Sequence, residues 1–260
     1  MIKKILSSIA VLIILAMAMA GCAPASPSAE SQGNPIVFDD ANLEKEIRAV
    51  IQKPTGDIYE SDVAEIEILE LAEKEIESIE PLKYFKKLSC LDLSVNRVSD
   101  ISALSGLTNL KVLDLSNTLQ EVDSEGNQIS GISPLSGMTN LQVLFLSGDQ
   151  ISDISALAEL KNLQTLVLED NQISNISTLS GMTKLQYLSL RNNRISGISA
   201  LSGLKNLEGL DLRNNKISGI SALSGLKNLK NLYLAGNPIT DFSPAAGYYD
   251  NLQKKDFNIQ

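Results

Sequence analysis

Among 260 residues there are two cysteines and no histidine. Imidazole is therefore absent from every mechanism that needs it: there is no Ser-His-Asp or Cys-His nucleophile, no His-ligated zinc and no histidine pH switch. Acid–base chemistry is left to carboxylates, and pairs such as Asp114 and Asp211 have no evident desolvating pocket around them. Two segments with close carboxylates, Pro54–Glu60 and Val122–Asn127, lack the alternating Asp/Asn ligands of a calcium loop. The expectation is a protein that is not an enzyme and needs no metal or other cofactor. With 31 acidic against 22 basic residues and a pI near 4.7, no nucleic-acid partner is expected either.

The first cysteine closes an address segment. Lys3 and Lys4 precede an apolar run from Ile5 to Ala20, interrupted only by Ser7 and Ser8, and the run ends in Met19-Ala20-Gly21-Cys22. This ending resembles the lipobox of bacterial lipoproteins, in which the cysteine is acylated and becomes the mature N-terminus. The resemblance implies that residues 1–21 are a lipoprotein signal peptide, that Cys22 is lipidated, and that the protein sits in the cell envelope on the outer face of a bacterial membrane. Residues 22–35, rich in Ala, Pro and Ser, then read as a flexible tether reaching roughly 20 Å. Cys90, the second cysteine, is predicted to be a free thiol at an exposed strand position.

The rest of the chain repeats. Asn171, Asn193, Asn215 and Asn237 stand 22 residues apart, Asn127 lies two periods before Asn171, and Asp149 fills the position between them. In one unit, Leu210 and Leu212 have strand spacing, whereas Ile217, Ile220, Leu223 and Leu226 recur every three residues, as on a 3₁₀ return path. No single unit can bury its apolar row, so stacked units must share one core. Period and motif together resemble the bacterial leucine-rich repeat. The predicted fold is an α/β solenoid: a leucine-rich-repeat horseshoe with a parallel β-sheet on its concave side and 3₁₀-like convex segments. A helix whose apolar face is Leu43, Ile47, Val50 and Ile51, capped by Asp39-Asp40, and a second short helix around Asp62–Ile66 give it a helical N-terminal cap. That layout resembles the internalins and related secreted proteins. The predicted divisions are a cap at 36–65, eight repeats at 66–250 with an insertion at 118–126, and a C-terminal cap at 251–260.

Two sets of polar and apolar columns follow from the register. The repeated Asn is predicted to be structural, its amide satisfying turn backbone groups, with Asp149 a weak rung because an ionised carboxylate cannot donate. On the outward side of the strands, Phe145 leads an apolar cluster of Val112, Val143, Val167 and Tyr187, rimmed by Asp114, Arg191, Asp211 and Arg213. An apolar centre with a charged rim is the pattern of a protein-binding surface. The favoured function is a membrane-tethered module that recognises a protein or peptide ligand, acting as a monomer and attached through its N-terminal lipid. A structural or adhesive envelope component, with glycan as ligand, is the alternative. Acidic residues concentrate in Asp39–Glu80, where fourteen carboxylates meet four cations; this is read as a solvated face.

Overall fold

The computed structural model describes residues 34–117 and 126–259. The signal segment, Cys22, nearly all of the tether and all but the last residue of the insertion lie outside the described residues.

Helix α1 spans Ala41–Ile51. Asp40 is its N-cap: one carboxylate oxygen accepts from Leu43 N at 2.9 Å, and the other accepts from Glu77 N at 2.7 Å and Ser78 N at 3.1 Å. One buried side chain thus caps the helix and ties it to the first repeat. Leu43 and Ile47 are buried and Ile51 packs against the core, but Val50 is 48% exposed and does not belong to the predicted apolar face. Consecutive helical residues are about 100° apart, so a stripe centred between Leu43 and Ile51 leaves Val50 on the rim. The chain leaves the helix at Gln52, in the left-handed region at φ 55°. Helix α2, Glu60–Val63, is shorter and earlier than the sequence suggests.

Among the described residues, nine parallel strands follow in one sheet, in sequence order: β1 Ile68–Glu70, β2 Cys90–Asp92, β3 Val112–Asp114, β4 Val143–Phe145, β5 Thr165–Val167, β6 Tyr187–Ser189, β7 Gly209–Asp211, β8 Asn231–Tyr233 and β9 Lys254–Lys255. The register pairs each central leucine with the next, Leu69 with Leu91 through Leu210 with Leu232. The convex side is built of 3₁₀ turns such as Ser102–Gly106 and Ser199–Gly203. Between them runs a continuous aliphatic core closed downstream by Tyr248, Leu252 and Phe257, the last stacked on Phe242 at 5.0 Å. The ninth strand arises from the segment read as a cap: the chain makes one further return before it closes.

The asparagine ladder has one geometry throughout. Asn193 Nδ2 donates to Leu168 O at 2.8 Å and Leu190 O at 3.1 Å, while its Oδ1 accepts from Ile173 N at 2.9 Å. Asn171 and Asn215 repeat it, and Asn96 forms an equivalent first rung. Each amide supplies both a donor and an acceptor where the turn leaves unlike backbone groups unpaired, as its chemistry requires.

Asp149 departs from this pattern. Its Oδ1 accepts from Ile129 N at 3.2 Å, and its Oδ2, where the Asn donor would be, is buried without a partner among the described residues. Burial pushes the carboxyl up to about 7, with the Ile129 N–H opposing and Asp114 adding to the rise. The ionised form assumed from the sequence therefore dominates only above neutral pH.

Candidate functional site: the concave face

The concave face is built from the two outward residues of each short strand. Because these strands are in register and about 4.8 Å apart, outward side chains of neighbouring repeats touch one another before they touch solvent. Val112 and Val143 are buried, as is Cys90, and the three form a satellite cluster with Ile68 and Phe145 packed against it. Val167 is also buried. The open apolar patch read from the sequence is thus narrower: of its five members only Phe145 and Tyr187 reach solvent, each half-buried.

Cys90 corrects a prediction. It is a free thiol, but 6% exposed rather than solvent-facing, because Ile68 and Val112 on the adjoining strands flank it in register. Burial pushes the thiol up to about 11, aided by Asp92, Glu70 and Asp114. Such a thiol carries little thiolate at neutral pH and is a packing group rather than a nucleophile.

The charged rim is partly internal. Asp211 is 1% exposed, and both its carboxylate oxygens receive Arg213 Nε, at 2.9 and 3.0 Å, with Arg213 Nη2 adding a further bond. The same guanidinium lies 4.8 Å from the ring centroid of Tyr233. Asp114 Oδ1 accepts from Ser116 N and Oγ at 2.8 and 2.6 Å. Asp114 and Asp211 belong to β3 and β7, four strands apart, so they cannot work as a carboxylate pair. Arg191 differs: its Nε is buried without a hydrogen-bond partner among the described residues, and the residue as a whole is half-buried.

Tyr187 lies across its neighbour. A Cβ placed on Gly209, the residue in register with it on β7, would come within 2.6 Å of the Tyr187 ring. Glycine at this position lets the aromatic ring lie over the strand and bury part of it. The hydroxyl is pushed well above its usual range by burial, then by Asp211 and Glu169.

Along the middle column the face changes character. Glu70, Asp92 and Asp114 stand in register on β1–β3, Phe145 and Val167 follow on β4 and β5, and the Asp211–Arg213 pair closes the far side. Among the described residues, no three carboxylate or thiol side chains form a group able to hold a metal ion. An open hollow of about 550 Å³ lies elsewhere, against the outer face of α1 beside Glu44, Arg48 and Pro54. Its charged residues are already committed, Arg48 to Glu44 at 2.7 Å, and it does not touch the concave sheet.

Some residues of the face were not singled out from the sequence. Asp170, Asn192 and Asn214 form a second side-chain ladder at its edge, each amide donating to the residue one repeat earlier. The Asn192-Asn193 and Asn214-Asn215 doublets are the signal that reveals it. Ser189 Oγ donates to Glu169 at 2.7 Å, holding that carboxylate beside Arg191's column. Asn117 stands at the same repeat position as Asn192 and Asn214 but bonds differently: its Nδ2 donates to Asn127 O and Gly148 O, both at 2.8 Å, and its Oδ1 accepts from Asn127 N at 2.6 Å. It clamps the two ends of the insertion.

The chain matches family patterns described as leucine-rich repeats over residues 86–124, 119–159 and 205–247, and over 153–195 and 162–217. Among solved structures it is similar to internalin C2 from Listeria monocytogenes, with 33% identity and a TM-score of 0.77 over 89% of this chain and 100% of that one. A second internalin of that organism, InlF, is 26% identical with a TM-score of 0.50, covering 90% of this chain and 100% of the other. The plant peptide hormone receptor RGFR1, solved in complex with RGF2, shares the fold at 23% identity and a TM-score of 0.62, over 78% of this chain and 33% of the receptor. No curated protein sequence matches. No catalytic family is indicated by these matches, and the repeat family is one of binding modules. Repeat period, strand register, asparagine ladder and these similarities agree: the chain belongs to the internalin-like leucine-rich-repeat proteins.

Proposed function

We propose that this protein is an extracytoplasmic recognition module, tethered to a bacterial membrane through lipid on Cys22, which binds a protein or peptide ligand on its concave sheet. The observation that carries the binding surface is the pair of half-buried aromatics, Phe145 on β4 and Tyr187 on β6, on an otherwise filled face, with Arg191, whose Nε has no hydrogen-bond partner among the described residues, just after β6. The solenoid does not need large aromatics at outward strand positions, and rigid aromatics flanked by arginine are typical anchors of protein interfaces. The buried valines beneath Phe145 fix its position; they are not contact residues themselves.

Phe145→Asp is expected to weaken ligand binding by about 2 kcal/mol or more, roughly thirtyfold, with the circular dichroism spectrum unchanged. Tyr187→Ala is expected to act in the same direction, while Ser94→Asp, on the same face but away from the aromatics, is the neutral control. Partner capture from envelope extract by the wild-type domain and by each variant reads this out. Normal folding with full capture by both aromatic variants would place the site elsewhere.

The tether has its own test. Cys22→Ala is expected to move the protein from the membrane fraction to the soluble one after a high-salt wash, and unchanged retention would reject lipidation.

A further inference from the structure

The two lateral edges of the solenoid carry opposite charge. On the edge where each convex segment turns into the next strand, a third side-chain ladder holds the turns in line. Asn109, Asn140, Asn162, Asn206 and Asn228 each donate to the carbonyl of the preceding turn, at 2.8–2.9 Å. Immediately before the ladder position stand Lys86, Lys161, Lys205 and Lys227, all exposed. Four more lysines occupy the flanking positions, so the turns leading into β2–β9 carry eight lysines against Glu159, Glu208 and Asp250. The turn into β1 adds Glu65 and Glu67 at one end of the row. On the opposite edge the balance reverses: seven outward carboxylates, from Glu73 to Asp241, face Lys74, Arg97, Arg194 and Lys216.

Two features decide what such an edge fits. First, the row follows one lateral edge repeat by repeat, and from Lys86 to Lys230 it extends roughly 29 Å at the strand spacing. Second, its cations are available. Lys87 and Lys230 pair with Glu65 and Glu208, and Lys161 and Lys184 bond to a carbonyl and an amide, but among the described residues Lys86, Lys205 and Lys227 make no ion pair. The aromatic at the end of the row, Tyr249, is engaged with Phe257 and Lys255 rather than offered as a stacking platform for nucleic-acid bases. Lysines here are point charges on flexible stems, suited to many mobile phosphates rather than to one oriented group. The acidic cap does not cancel the row at a distance, because exposed charges are screened beyond about 8 Å at physiological ionic strength.

We propose that this lysine edge is an electrostatic docking surface for an anionic phospholipid bilayer, which lays the solenoid edge-on against the membrane and leaves the concave face open to the side. The proposal takes its setting from the tethered reading above, but its test is independent of lipidation.

Full-length protein carrying Cys22→Ala is mixed with vesicles of phosphatidylcholine alone or with about a third phosphatidylglycerol, at low and high salt, and co-sedimentation is measured. At least tenfold stronger partition into the anionic vesicles is expected, lost at high salt. Combined Lys161→Glu, Lys205→Glu and Lys227→Glu should abolish the preference, while Arg194→Glu with Lys216→Glu on the other edge should preserve it. Equal partition into both vesicles, or a triple variant that still prefers the anionic ones, overturns the proposal. So does salt-sensitive self-association, lost in the triple variant, without vesicle partition: the edge would then contact a second copy. If Cys22→Ala leaves salt-washed membrane retention in cells unchanged while the triple variant loses vesicle partition, the tether fails and the edge stands.

Discussion

Asp149→Asn is expected to stabilise the domain by about 3 kcal/mol at pH 8, raising the melting temperature by roughly 8 °C, and by less than about 1 kcal/mol at pH 4. The carboxyl titrates near 7 in the fold against an ordinary value of 3.8. Between those two values the native state holds the proton more tightly than the unfolded chain, so native stability is greatest below about pH 4 and is lost as pH rises through 7. Protonated, the acid can place an O–H where the neighbouring rungs place an amide N–H. Ionised, it leaves Oδ2 buried, negative and without a partner among the described residues. Asparagine supplies the donor at every pH, so its advantage grows as the carboxyl loses its proton. Thermal denaturation of both proteins across this range is the measurement. An equal gain at both ends would show that Asp149 is not proton-linked, and a loss at pH 8 would show that the carboxylate serves a partner of its own.

Asn117→Ala is expected to cost about 3 kcal/mol in chemical denaturation, more than any substitution among the exposed ladder residues. The side chain is 8% exposed and makes three hydrogen bonds of 2.6–2.8 Å, to both backbone groups of Asn127 and to Gly148 O. Its removal leaves the N–H and C=O of Asn127 and the C=O of Gly148 without these partners. Gly126 belongs to the same arrangement, since an added Cβ there would collide with the Asn117 amide. Asn192→Ala, one half-buried amide in a side-chain ladder, should cost well under half as much. A loss below about 1 kcal/mol for Asn117→Ala would mean that the insertion is anchored by other contacts. Because Asn117 Nδ2 lies 3.5 Å from Asp149 Oδ1, the two substitutions should not be additive, and a double-mutant cycle measures the coupling.

Period and residue type were sufficient for the solenoid itself. A leucine pair two apart, followed by apolar residues every three, admits few arrangements once each unit must bury its row against the next, so the strand register and the core were legible in advance. The ladder role of Asn193 followed from amide chemistry alone, and so did the irregularity of Asp149. Which outward residues see solvent was decided only by the tertiary structure. Val112 and Cys90 occupy positions that face away from the core, yet they are covered, because parallel strands in register bring equivalent side chains within contact distance and larger neighbours close over smaller ones. Tyr187 is shaped by Gly209, its register partner 22 residues later in the chain. The Asp149 carboxyl holds its proton to neutrality because burial removes its solvation, a property of the packed rung and not of the residue. Sequence fixes which groups recur; exposure and titration depend on what the next repeat places against them, and that is settled when the repeats stack.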